Sequence, residues 1–206
     1  MKVLLINGSP NVKGCTFTAL NEVSKILVQE GIETEIIQVG NKDIRGCIAC
    51  RKCKTTNECI FNDYVNEVSK KLVECDGVII GSPVYYASAN GTLVSFLDRL
   101  FYSTLTDKTM KVGAAVVSCR RGGASATFDV LNKYFTISGM PVVSSQYWNS
   151  VHGNTPEEVQ QDVEGMQTMR TLGRNTAFMI KSIALGKNQF GLPKKEEWQR
   201  RNFIEL

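Results

Sequence analysis

The chain has 206 residues, 43% of them hydrophobic and 21% charged, with a formal net charge of +4. That balance excludes a disordered chain and gives enough length to bury a core without disulfides. The mild charge gives no basis for nucleic-acid binding, and the single histidine, His152, argues against Ser-His-Asp catalysis and His-rich metal sites.

In chain order, Val3–Asn7 is almost wholly apolar and reads as a strand covered on both faces. A polar turn leads into a helical pattern over Thr16–Gly31, with Phe17, Leu20, Val23 and Leu27 on one stripe and Gly31 as the stop. Glu33–Val39 reads as the second strand. Asn41–Phe61 has little periodicity and is long for a connection. A helix over Asn62–Cys75, a strand over Gly77–Ser82, a helix over Ser88–Tyr102, a strand over Val112–Ser118 and a helix over Ala124–Gly139 follow. Val142–Tyr147 reads as the fifth strand. Thr155, Pro156 and Glu158 form a capping box that opens one long final helix ending near Gly186. The alternation predicts a parallel sheet with helices on both faces. Residues 1–186 read as one domain with the loop 41–61 inserted, and 187–206 as a tail. No apolar run reaches the ~20 residues that span a bilayer, and Met1–Gly8 is too short and polar-ended for a secretory leader, so a cytoplasmic location is expected.

Three loops follow strands and carry candidate binding residues. Ser9, Asn11, Lys13, Gly14, Cys15 and Thr16 lie between the first strand and its helix, where free backbone N–H groups, two hydroxyls and a lysine suit an anion. The pattern is neither a P-loop nor Gly-x-Gly-x-x-Gly, and an ordinary polar turn is the alternative. Pro83, Val84, Tyr85 and Tyr86 follow the third strand and offer flat aromatic surface. Ser118, Arg120, Gly122 and Gly123 follow the fourth, where glycines permit close approach to the backbone. Ligands of open α/β sheets bind at these strand ends. A pocket with a phosphate end and a flat, glycine-lined end suits FMN.

Seven cysteines are many for a chain of this length, and four fall within thirteen positions. Cys47, Cys50, Cys53 and Cys59 have the spacing Cys-x2-Cys-x2-Cys-x5-Cys. That packing can wrap one 4Fe–4S cluster, and Arg45, Arg51, Lys52 and Lys54 would offset its negative charge. Zinc is the rival, although zinc sites usually present two separated cysteine pairs; unliganded thiols are the third possibility. Cys15, Cys75 and Cys119 read as packing residues.

Gly8-Ser9-Pro10 with Gly14 and Thr16, the four-cysteine run, Ser82-Pro83-Val84-Tyr85-Tyr86, Gly122-Gly123 and the helical segment Asp162–Asn175 together resemble the iron–sulfur flavoproteins of the NAD(P)H-dependent FMN reductase-like branch of flavodoxin-like folds. The resemblance covers nearly the whole chain. It implies a five-stranded sheet of order 2-1-3-4-5, and FMN with its phosphate on Ser9–Thr16 and its ring near Pro83–Tyr86 and Gly122-Gly123. It also implies a homodimer or homotetramer. The chain departs from the pattern at Cys15, where many relatives carry asparagine; a thiol is a poorer hydrogen-bond partner, so weaker FMN binding is expected. The expected function is a redox flavoprotein with FMN and a 4Fe–4S cluster. It would pass electrons from a ferredoxin-like or transiently docked NAD(P)H donor to a partner protein or small-molecule acceptor. A plain FMN or quinone reductase without a cluster, and a non-catalytic electron carrier, are the alternatives.

Overall fold

The structure, a computed structural model, describes residues 1–197 and Gln199. Five parallel strands form the sheet: β1 (Lys2–Asn7), β2 (Glu33–Gln38), β3 (Gly77–Tyr85), β5 (Val112–Cys119) and β6 (Ser150–His152), in the order β2-β1-β3-β5-β6. That is the expected 2-1-3-4-5 order. A sixth strand, the two-residue β4 (Ser88–Ala89), folds back antiparallel on Val84–Tyr85.

The near-continuous apolar runs follow from burial of both faces. On β1, Leu4 and Ile6 join one core, while Val3 and Leu5 join the other. On β5, Ala115 and Val117 alternate with Val112, Ala114 and Val116 in the same way. The first core is closed by α3 (Tyr64–Glu74), α4 (Gly91–Ser103) and α5 (Ala124–Ile137). The second is closed by α1 (Cys15–Gln29), α6 (Pro156–Gln161) and α7 (Val163–Phe190). Asp63 caps α3 and Asn90 caps α4, each accepting a backbone N–H of the first turn.

Two expected elements differ. The fifth strand is not Val142–Tyr147. Val142 makes one isolated bridge to Gly113, and Val143 is buried, but the chain then leaves the sheet. Asn149 takes over the edge: its side-chain Nδ2 donates to the Ala115 carbonyl at 3.0 Å, and its own carbonyl accepts from Val117 N–H at 2.9 Å. The strand forms afterwards, with Ser150, Val151 and His152 beside Val117, Ser118 and Cys119. An apolar run marked burial here, and a buried asparagine with both of its polar arms engaged marked the edge.

The final helix is two. Thr155 caps α6 as expected, its Oγ1 accepting from Glu158 N–H at 3.3 Å. Asp162 then ends α6 and caps α7, accepting from Gly165 N–H at 2.9 Å. Its other oxygen accepts from His152 N–H at 2.7 Å. α7 continues past Gly186 to Phe190, where Gly191 (φ 75°) stops it. The expected tail 187–206 lies partly outside the described residues. Within the loop 41–61 a single short turn of helix forms, α2 (Cys53–Thr56). Among the described residues no helix is long and apolar enough to cross a membrane.

Candidate functional site

All five parallel strands deliver their following loops to one end of the sheet. The turn after β1 is built from inside. Asn7 is fully buried; its Oδ1 accepts from Ser9 N–H at 3.1 Å, and its Nδ2 donates to Gln38 Oε1 at 2.7 Å. Gln38 in turn donates to the Ser9 carbonyl at 2.6 Å. Ser9 Oγ accepts from Asn11 N–H at 3.2 Å. This polar frame holds the loop against the N-terminus of α1. There Gly14 is the cap and supplies no side chain, and the first turn carries no acid. The terminal N–H groups therefore keep their partial positive charge. Gly81 of β3 permits the close fit, since a Cβ there would lie 2.7 Å from Leu20 Cδ1.

Thr16 Oγ1 and Ser118 Oγ, buried 2.7 Å apart, tie this loop to the end of β5. A cavity of about 200 Å³ opens beside them. Its lining includes Ser9, Asn11, Cys15, Thr16, Pro83, Val84, Tyr85, Ser118 and Arg120 of the expected residues. The others sit around it. Lys13 lines a neighbouring groove along α1, Gly14 caps the helix, and Tyr86 stands fully in solvent. Gly122 has open space above it, and Gly123 (φ 88°) packs so close that a Cβ would lie 2.6 Å from Ala87 Cα. The second and third loops thus touch through Gly123. Tyr86 and Ala87 both adopt left-handed conformations (φ 47° and 60°) to make the two-residue hairpin between β3 and β4. Such a turn normally takes Asn-Gly, so backbone strain is stored at the mouth of the cavity.

Gly153 and Asn154 also line the cavity, and no motif pointed to them. They arrive because β6 begins later than the apolar run suggested. Gly153 accepts from Cys15 Sγ at 3.7 Å through its carbonyl. Burial, with Glu158 and Glu157 nearby, raises the Cys15 thiol above its ordinary value, so it stays protonated at neutral pH.

The four clustered cysteines line one small cavity of about 20 Å³ on the α3–α4 side. Cys47 and Cys50 form its exposed lip; Cys53 is buried and Cys59 half-buried. Ala49 (φ 53°), Arg51 (φ 60°) and Asn57 (φ 55°) are left-handed residues interleaved with them. Each is an unfavourable conformation for a residue with a Cβ, and together they fold the loop round its thiols. Ala49 N–H donates to Cys47 Sγ at 3.5 Å. Burial raises the Cys53 thiol, with the neighbouring Cys50, Cys59 and Cys47 adding to the shift. Among the described residues, no three His, Cys, Asp or Glu side chains converge tightly enough for one metal ion.

The wall of this cavity contains a residue that sequence reading missed. Arg99 of α4 has a side chain with no exposure. Its two terminal nitrogens donate to Asp63 at 2.8 Å each, and Nε donates to Cys59 Sγ at 3.3 Å. Phe61 lies under both the Arg45 and Arg99 guanidinium groups, at 4.6 and 5.0 Å. Asn66 clamps Cys59 by accepting its N–H and donating to its carbonyl, both at 2.9 Å. An arginine within an amphipathic helix gives no signal of burial until its partner, 36 positions away, is known.

A parallel sheet of this order, with an open helix N-terminus and a cavity at its strand ends, defines a flavodoxin-like protein. A family model described as NADPH-dependent FMN reductase matches residues 1–155, and the chain belongs to that oxidoreductase family. An iron–sulfur flavoprotein of Methanocaldococcus jannaschii is 35% identical over 191 residues, covering 89% of this chain and 99% of its own. An iron–sulfur flavoprotein of Methanosarcina thermophila is 26% identical, with 92% and 100% covered. Among solved structures, an NAD(P)H:quinone oxidoreductase from Methanothermobacter marburgensis superposes with a TM-score of 0.63 at 18% identity, covering 85% of this chain and 95% of its own. That last likeness is one of fold.

Proposed function

We propose that this chain is a two-centre redox flavoprotein. It would hold FMN in the cavity at the strand ends and a 4Fe–4S cluster on Cys47, Cys50, Cys53 and Cys59. It would carry electrons from a reduced donor, ferredoxin-like or NAD(P)H, to a partner protein or small-molecule acceptor. The observation that carries the reading is that all four cysteines line one cavity in a chain whose strand ends open a second cavity beside the α1 N-terminus. When bound, FMN takes electrons in pairs or singly and the cluster takes them singly.

The residues supply binding and electrostatics. The α1 N-terminus, Ser9 and Thr16 would hold the phosphate, with Asn11, Lys13 and Gly14 shaping the loop. Pro83–Tyr86 and Gly122-Gly123 would border the ring, and Arg120 would offset negative charge gained on reduction. Cys15 would lend packing, with its thiol donating a weak bond to the Gly153 carbonyl. The four thiols line one small cavity, and their Cys-x2-Cys-x2-Cys-x5-Cys spacing lacks the two separated cysteine pairs usual at zinc, which favours a 4Fe–4S core. The exposed side chains of Cys47 and Cys50 can rotate to admit it. The relatives named as iron–sulfur flavoproteins support the same assignment.

Visible absorption of anaerobically purified protein, before and after dithionite, tests the reading. A flavin band on a broad iron–sulfur background, both bleached, is expected. Cys50→Ala should lose the broad background and the iron while keeping FMN. A clean flavin spectrum in the unaltered chain would instead identify a plain FMN or quinone reductase.

A further inference from the structure

We infer that one face of α4 is a hydrogen-bond donor rail for the cysteine cavity, with Arg99 and Ser103 setting the reduction potential of the iron–sulfur group proposed there. The inference rests on that proposed function and deepens it.

Arg99 and Ser103 are four residues apart on one helix and so project from the same face. Both line the cavity of the four cysteines. Arg99 already donates Nε–H to Cys59 Sγ at 3.3 Å. Ser103 is 2% exposed, and its Oγ has no hydrogen-bond partner. A buried hydroxyl without a partner costs about 1–3 kcal/mol, and one that opens on a cavity indicates what the cavity is to hold. Here the surrounding thiols can accept only weakly, whereas cluster sulfur carries negative charge and accepts readily. A cluster in that cavity would offer the serine hydroxyl the acceptor that the protein does not supply.

The sign of the effect follows from charge. One-electron reduction adds a negative charge at the sulfurs. Donors aimed at those sulfurs stabilise the reduced form more than the oxidised form, and hydrogen bonds to the sulfurs are among the levers that set such potentials. Asp63 opposes them. Its carboxylate pairs with Arg99 and cancels much of the charge that the cavity would otherwise feel. The rail is thus an arginine muted by an aspartate, plus a neutral hydroxyl. Both Arg99 and Ser103 are positioning residues.

The test is a dithionite titration of anaerobic holoprotein at pH 7, with the cluster followed by electron paramagnetic resonance and the flavin by absorbance. Ser103→Ala should lower the cluster potential, shifting the oxidised-to-reduced ratio at fixed potential by about tenfold, or about 59 mV for one electron. Asp63→Asn should move it the other way by unmasking Arg99. The flavin potential should not change in either variant. The unaltered chain should show one proton hyperfine coupling that disappears on exchange into deuterated buffer, and Ser103→Ala should lack that coupling in ordinary buffer. Opposite shifts from two changes beside one cavity are not the result of a loosened loop. Unchanged potentials in both variants, with iron and flavin contents as in the unaltered chain, would overturn the inference. So would loss of iron from Ser103→Ala with an unshifted Asp63→Asn, which would leave the serine a packing role. An unaltered chain with flavin but no cluster signal would overturn the proposed function itself, and this inference with it.

Discussion

The hydroxyls of Thr16 and Ser118 lie 2.7 Å apart, buried, and join the first turn of α1 to the end of β5 across 102 positions of sequence. Thr16→Val keeps the shape of the side chain and leaves Ser118 Oγ without its partner. We expect a loss of about 1–2 kcal/mol in stability and an affinity for FMN weaker by about tenfold. Quenching of flavin fluorescence on apoprotein measures the second. Undiminished affinity would place the phosphate away from this loop.

Asp63 is the counter-ion of a side chain that water does not reach, and it also caps α3 through Val65 N–H. Removing one partner of a buried ion pair costs about 3–5 kcal/mol. Water reaches Asp63 itself, so Asp63→Ala should sit near the lower figure. Urea unfolding with an unchanged slope and a lower midpoint is the expected result.

Glu35 lies between Lys2 and Lys71, at 2.8 and 2.5 Å, and these ammonium groups hold its carboxyl below the ordinary glutamate value. The unfolded chain then binds a proton that the folded chain refuses. The contribution is present above the unfolded value of about 4.3 and is lost as pH falls through the lower folded value. Glu35→Gln should cost less than about 1 kcal/mol at pH 7, because the pair is partly exposed. The melting temperatures of the two proteins should converge as the buffer is taken below about pH 4.

Asp162 ends one helix, starts the next and accepts the His152 backbone N–H. Asp162→Ala should cost about 1–2 kcal/mol, a fall of about 3–6 °C in melting temperature for a chain of this size. Asp162→Asn keeps one of the two acceptors, its amide NH2 being unable to take the second N–H, and should recover only part of it. If alanine and asparagine melted alike, the cap would not be what holds this junction.

Most of the sheet could be read from the sequence because burial on both faces writes itself as apolar runs, as at Val3–Asn7 and Val112–Ser118. The loops at the strand ends followed from the same logic, since each run ends in a small polar turn. Asp162 was not legible: a single aspartate in a helical pattern looks like a solvated position until Gly165 and His152 supply its partners. Gly153 and Asn154 were hidden by the displacement of β6, which depended on Asn149 satisfying the edge of β5. Arg99 and Ser103 were hidden for a related reason. The expected helix ended at Tyr102, one residue short of Ser103, and only packing against Cys59 and Asp63 turned the arginine inward.

The cysteine loop is fastened from outside itself. Arg99 holds Cys59 and the Arg45 carbonyl, Asn66 brackets Cys59, and Asn57 accepts the Leu105 N–H at 2.8 Å. Each of these attachments joins protein atoms to protein atoms. Under the proposed reading, oxidative damage would empty the vessel without breaking it. Iron and sulfide added to such protein under reducing conditions would then meet a mould already set, and recovery would run at the pace of cluster assembly, with no refolding step before it.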